Sequence, residues 1–302
     1  MHVPRYDGGE GRLMISPVHV ARISWSNVDH LRKRFGNATL ASLTRDVTRA
    51  ARLLRNDPAP RMVPARAERV VVTLSTVPRR RRHLRPVLRS LLDQTVPADR
   101  LLLAWPRHSL RLGVAYPDPP SLPTGVDIVR CEDEGPATKL LPALRAEPNA
   151  VLVVVDDDAI YPETFLEDLL AAHRQDSTAA LGLRGQHVRF GCDPRYLEHV
   201  CGTAVLEHVP VDVLMGMWGY LIPPGSLDEA VHDFEGWPGE VRWQDDVWIS
   251  AHLARRRISR LVVPVSGTPL ESTGAFVGAL HHTVNRSGHN EAVAFETFKT
   301  WW

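Results

Sequence analysis

The run VLVVV at residues 151–155, followed at once by Asp156, Asp157 and Asp158, constrains the fold more than any other feature of the chain. An apolar, β-branched run without polar alternation suits a strand covered on both faces. Sheets built from such strands carry helices on either side, and their ligands bind beyond the carboxyl ends of the strands. Three adjacent carboxylates repel one another unless a positive group lies among them. In extended backbone side chains alternate, so Asp156 and Asp158 are expected to face one ligand together, with Asp157 turned away. Hard oxygen donors of this kind suit Mg²⁺ or Mn²⁺, with diphosphate oxygens completing the coordination. The plain alternative is an acidic turn with one Asp capping the next helix.

Strands and helices alternate around this segment. Residues 69–74 (RVVVTL) read as a strand, and residues 83–94 as a helix with Leu84, Val87, Leu88, Leu91 and Leu92 on one face. Further strands are expected at 100–105 and 126–129, then a short helix at 139–144. After the carboxylates, Pro162 suits the first turn of a helix at 163–172 that buries Phe165, Leu166, Leu169 and Leu170. Strands at 179–183 and 261–264 and a helix at 246–256 follow. This order predicts an α/β fold, a Rossmann-like α/β/α sandwich with a mostly parallel central sheet. Ahead of it, residues 39–54 have helical spacing through Leu40, Leu43, Val47, Ala50, Ala51 and Leu54, ended by Asp57-Pro58-Ala59-Pro60. Residues 1–66 are therefore read as an N-terminal extension and residues 67–302 as the main domain.

Charge is unevenly spread. Residues 1–100 hold 20 Lys and Arg against 8 Asp and Glu, whereas the remainder holds 16 against 27. That asymmetry fits a basic wall for phosphates beside an acidic site, or equally two solvated faces. Only three lysines occur, which draws attention to Lys139 inside an apolar stretch. The Arg79–Arg82 run lacks the interleaved aromatics of a nucleic-acid binder, so no nucleic-acid partner is expected. No segment has the ~18 apolar residues of a membrane span, and residues 1–12 lack a signal-peptide core. Three cysteines without CxxC spacing point to a reduced protein, expected in the cytoplasm with a possible peripheral position at the inner membrane face.

Four blocks, in order, carry a family resemblance. VLVVVDDDAIYPETF resembles the DxD strand end of GT-A fold glycosyltransferases, in particular the bacterial family 2-like group. VVVTLSTVPRR followed by LRSLLDQTVP is similar to the first strand, nucleotide-binding turn and helix of those enzymes. DEGPATKLLPAL resembles their GPATKL-type segment, and QDDVWISAHL the acidic motif opening their catalytic helix. The resemblance implies transfer of a sugar from a nucleoside-diphosphate donor, UDP-linked by expectation, to a hydroxyl acceptor with inversion and with Mn²⁺ or Mg²⁺ as cofactor. It divides the main domain into a nucleotide-binding half at about 67–160 and an acceptor half at about 161–302.

The implied roles fall on particular residues. Ser75, Thr76 and Pro78 would lie against the base and ribose, with Arg79 a further phosphate or base contact. Asp133 and Lys139 would lie near the nucleotide and its phosphates, together with Asp156 and Asp157. Asp156 and Asp158 would ligate the metal, completed by a C-terminal histidine, His282 by expectation, with His281 and His289 the alternatives. Asp246 is the expected general base and Asp245 its orienting partner, although Asp before a helix is also a standard N-cap. Within MGMWGYLIPPGSL, Trp218, Gly219 and Tyr220 are expected on the acceptor, with core packing the alternative for the aromatics. A sugar-nucleotide pyrophosphorylase is the rival reading, but LSTVPRRRR lacks the glycines its phosphate loop needs. A non-catalytic relative that only binds nucleotide sugar or carbohydrate is another.

Overall fold

The computed structural model describes residue 33 and residues 36–194, 197–267, 269–277 and 287–302. Eight strands form the main sheet: β1 (Val70–Ser75), β2 (Arg100–Pro106), β3 (Val126–Cys131), β4 (Val151–Val154), β5 (Ala180–Gly182), β6 (Val209–Pro210), β7 (Tyr220–Ile222) and β8 (Arg260–Val262). Their spatial order is β6-β8-β5-β7-β4-β1-β2-β3. Strands β3, β2, β1 and β4 run parallel, and β8 runs parallel to β5. β7 is inserted antiparallel between β4 and β5, and β6 is antiparallel at the edge.

Alternate residues of β1 serve opposite faces, as the pleat requires. Val70, Val72 and Leu74 pack against α2 (Leu84–Leu92) and α4 (Phe165–Gln175). On the other face, Val71 joins a second core with α3 (Leu141–Ala146), α5 (Asp245–Arg255) and α6 (His289–Thr297). The chain is thus an α/β/α sandwich around a mostly parallel sheet, the class its sequence predicts. The C-terminal aromatics belong to it, because Phe295 and Phe298 are buried in the second core.

Two local expectations are corrected. The short helix expected at 139–144 forms two residues later, as α3 at Leu141–Ala146, and is preceded by a 3₁₀ turn at Gly135–Lys139. Pro136 and Pro142 explain the break, since each suits the first turn of a separate helix. The N-terminal helix α1 (Leu40–Leu53) forms, capped by Thr39, but Leu40, Val47 and Leu54 are exposed while Arg49, Ala50 and Leu53 face inward. Arg49 is drawn in by Asp93, which its Nε reaches at 2.8 Å. Among the described residues, no helix is long and apolar enough to cross a membrane. Cys131, Cys192 and Cys201 are free thiols.

Candidate active site

A cavity of about 540 Å³ opens at the carboxyl ends of β1 and β4, where a doubly wound sheet is expected to bind its ligand. The two strands are in register from Val70 opposite Val151 to Thr73 opposite Val154, so their ends lie level. The cavity floor is therefore Ser75 and Thr76 beside the carboxylate turn. Its other walls come from the 3₁₀ turn at Gly135–Lys139, the Met215–Met217 loop and the start of α5, with Arg111 and Tyr116 opposite.

The carboxylate turn departs from simple alternation. Extended pairing stops at Val154 and residues 157–158 turn, so all three carboxylates line the cavity. Asp157 is the most tightly held: Thr76 donates its hydroxyl at 2.6 Å and Arg80 Nη1 lies at 2.6 Å. The same Arg80 nitrogen reaches Asp158 at 2.9 Å, and Arg80 Nε donates to the carbonyl of Val277 at 2.6 Å. Burial alone would lower the pKa of Arg80, but Asp157 and Asp158 outweigh it and raise it. Burial, then repulsion from Asp156 and Asp157, pushes the Asp158 carboxyl up to about 7.

Asp156 takes a different partner. Lys139 Nζ lies 2.9 Å from Asp156 and 3.1 Å from Asp245, joining the carboxylate turn to the first turn of α5. The Lys139 side chain is only 12% exposed. Burial works against its charge, yet Asp156, Asp245 and Asp246 hold its pKa well above the usual lysine value. Asp246 accepts the Gly216 N–H on Oδ1 at 2.8 Å. Burial, then the adjacent Asp245, raises the Asp246 carboxyl well above the ordinary range. Both acids lie inside α5, whose N-cap is Gln244, so neither is the cap. A side chain at Gly216 would run into Lys139 and Asp246, which is why that loop residue has none.

The remaining sequence candidates divide. Ser75 and Asp133 line the cavity, and Thr76 does so with its hydroxyl committed to Asp157. Asp133 accepts the backbone N–H groups of Leu110 at 2.8 Å and Gly135 at 2.9 Å, so it fastens two loops of the rim together. Pro78 and Arg79 do not line it; Arg79 is exposed, and it is Arg80 that turns inward. The expected acceptor residues Trp218, Gly219 and Tyr220 do not line the cavity. Trp218 belongs to the first core beneath Arg184, whose Cζ lies 5.0 Å from the ring. Tyr220 is buried in the second core, and Gly219 approaches Val154 and Phe165 too closely to admit a side chain. The aromatics at the cavity are instead Tyr116, which donates its hydroxyl to the Thr76 carbonyl at 2.9 Å, and Trp243. Arg80, Arg111 and Tyr116 were missed as a group, and only the inward count of positive charge needed to balance the acids hints at the arginines. His281 and His282 lie outside the described residues, and His289 opens α6 with its ring 3.7 Å from Glu240.

Asp133, Asp156, Asp157, Asp158, Asp245 and Asp246 line the cavity against Arg80, Arg111 and Lys139. That surplus of carboxylate favours a bound cation, and the donor set is entirely oxygen, as Mg²⁺ and Mn²⁺ prefer. Asp156 and Asp158 fit the role best, since Asp157 is consumed by Thr76 and Arg80. Among the described residues, no three His, Cys, Asp or Glu side chains are gathered to enclose an ion by themselves. An ion held by few carboxylates and completed by phosphate oxygens and water is normal for Mg²⁺.

Fold and cavity together define a doubly wound α/β protein with an acidic, lysine-bridged cleft at its strand ends. No family model and no curated protein sequence matches the chain. Among solved structures it is similar to a mannosyltransferase from Pyrobaculum calidifontis in complex with GDP-mannose and Mn²⁺. The identity is 15%, covering 86% of this chain and 82% of that chain, with a TM-score of 0.41. At that distance the likeness carries nothing about ligand or reaction.

Proposed function

We propose that this chain is a glycosyltransferase that moves a sugar from a nucleoside-diphosphate donor to a hydroxyl acceptor with inversion. The observation that carries this reading is the Lys139 bridge. It joins the carboxylate turn to the first turn of α5 across one cavity, with Asp156 at 2.9 Å and Asp245 at 3.1 Å from a single ammonium. A diphosphate needs positive charge, and an attacking hydroxyl needs a base; here both face the same space.

The roles follow from the contacts. Ser75 and the rim fastened by Asp133 would receive the nucleoside. Lys139 and Arg111 would face the phosphates. Asp156 and Asp158 would hold a divalent cation, which as a Lewis acid would neutralise the leaving diphosphate. Arg80 keeps Asp157 and Asp158 from splaying apart. Asp246, with one oxygen fixed by Gly216 and its basicity raised by burial, would take the acceptor hydroxyl's proton. Asp245 is engaged by Lys139 and would orient the pair.

The test combines binding and turnover. A thermal-shift panel of UDP- and GDP-sugars, with and without Mn²⁺, should show stabilisation that needs both nucleotide and metal. Asp246→Asn retains an acceptor for the Gly216 N–H, so melting temperature and donor binding should survive while transfer falls by ~10²–10⁴. Full transfer activity in Asp246→Asn would remove it as the base. No metal-dependent stabilisation by any nucleotide sugar would sink the reading.

A further inference from the structure

The carboxylate turn is held from outside the cavity as well as within it. Asp157 and Asp158 are gripped by cavity residues, but the backbone of Asp156 is held by a buried phenol. The Asp156 N–H donates to the Tyr161 hydroxyl at 2.9 Å, and that hydroxyl lies 3.4 Å from the Asp156 carbonyl, to which it donates. One side chain thus satisfies both backbone groups where the chain leaves β4, at the point where ladder pairing can no longer do so. The Tyr161 ring is fully buried, packed on Phe165 with centroids 4.6 Å apart.

Tyr161 is itself fixed by the N-terminal helix. Arg49 of α1 donates from Nη1 to the Tyr161 carbonyl at 2.6 Å, and the Tyr161 N–H donates to Ser90 Oγ at 3.0 Å. The other Arg49 nitrogens reach the Asp93 carboxylate at 2.8 Å and the Ser90 and Asp93 carbonyls at 3.0 and 2.9 Å. Arg49 is 6% exposed and Asp93 4%. A buried guanidinium is an expensive way to pack a helix, because apolar residues of similar volume do so at least as well. Its planar fork does offer what apolar residues cannot, simultaneous fixed contacts to α2 and to the chain emerging from the carboxylate turn.

We propose that Tyr161, clamped by Arg49, is a positioning residue for the carboxylate turn, which makes α1 a working part of the metal–diphosphate site. This rests on the functional reading given above. Groups that orient metal ligands without touching the metal typically contribute ~10–100-fold to metal affinity.

The experiment measures UDP and GDP binding by calorimetry across a Mn²⁺ titration, for the wild type, Tyr161→Phe, Arg49→Met and Leu169→Ala. Leu169 lies in the first core without lining the cavity and serves as a control of lowered stability. Tyr161→Phe keeps the ring and loses only the hydroxyl. It should raise the Mn²⁺ concentration for half-maximal nucleotide binding by about 10-fold or more, with metal-free nucleotide affinity unchanged. Arg49→Met should shift it in the same direction. Leu169→Ala should lower the melting temperature and leave the Mn²⁺ midpoint in place. Should Arg49→Met fail to fold, Tyr161→Phe decides the matter. A normal wild type with an unmoved midpoint in Tyr161→Phe overturns the inference alone. Absence of Mn²⁺-dependent nucleotide binding in the wild type overturns the functional reading and this inference with it.

Discussion

Lys139 is the residue on which the site turns. From sequence it was either a phosphate contact or a lysine with its charge in water; in the structure it is enclosed by Asp156 and Asp245. Its raised pKa means that its contribution to stability is fully present below the ordinary lysine value and is lost only as pH rises through the higher folded value. At neutral pH the whole contribution is in force. Lys139→Met leaves Asp156 and Asp245 without the ammonium that pairs them and is expected to cost about 3–5 kcal/mol at pH 7. The surviving acids then favour protonation in the fold, so the deficit should shrink as pH falls towards 5. Urea unfolding at both pH values checks this, and an equal deficit at both would show that the lysine does not compensate these acids. Single residues were only partly legible. The triple Asp, Lys139 and Asp245-Asp246 were readable because charged groups in apolar surroundings stand out. Arg80 was not distinguishable from Arg79, since which of two neighbours turns inward depends on the turn at residues 77–80.

At the scale of elements, α5 carries both the acid pair and part of the second core. Its first turn presents Asp245 and Asp246 to the cavity, where the helix N-terminus favours negative charge by about 0.3–1 kcal/mol. Two turns on, His252 is 1% exposed, with its ring centroid 4.4 Å from Trp248 and 5.3 Å from Trp301. Burial, then Arg255, brings its pKa down to about 4, from an ordinary 6.5. A histidine depressed in the fold contributes stability that is present above pH 6.5 and is lost as pH falls towards 4. His252→Phe should therefore remove part of the acid sensitivity. Its melting temperature should gain on the wild type steadily between pH 7 and pH 4.5. Parallel curves would mean that His252 is not held neutral by the aromatic cluster. The helix itself was readable from Ile249 and Leu253, but its start at Asp245 was not. Capping and first-turn positions look alike in sequence and differ only in backbone dihedrals.

Over the whole molecule, two apolar cores on opposite faces of one sheet support the acidic cavity. The C-terminal tail closes the second face: Phe298 is fully buried, and its ring centroid lies 5.6 Å from that of Trp248. Phe298→Ala is expected to cost about 3–5 kcal/mol of stability, the usual range for deleting a buried aromatic. The cavity lies at the strand ends rather than within that core, so Mn²⁺-dependent nucleotide binding by the folded variant should be unchanged. Urea unfolding beside calorimetry tests both halves of this expectation. A stability loss near zero would show that the tail does not seal the face.

What the sequence determined by itself was the fold class and the strand end at which the acidic cavity lies. Apolar runs at residues 69–74 and 151–155 can be satisfied only inside a two-sided sheet, and acids following such a strand must emerge at its carboxyl end. Tertiary structure decided which residues meet there. Thr73 paired with Val154 brings Asp156 beside the end of β1, and the 3₁₀ turn carries Lys139 across to Asp245. Arg49 reaches Tyr161 across 112 positions of sequence. Trp218 and Tyr220 went to the cores while Trp243, at the end of the 3₁₀ turn Gly239–Trp243, lines the cavity, an allocation no periodicity announces. Periodicity is a property of regular backbone, and the site is built where regular backbone stops.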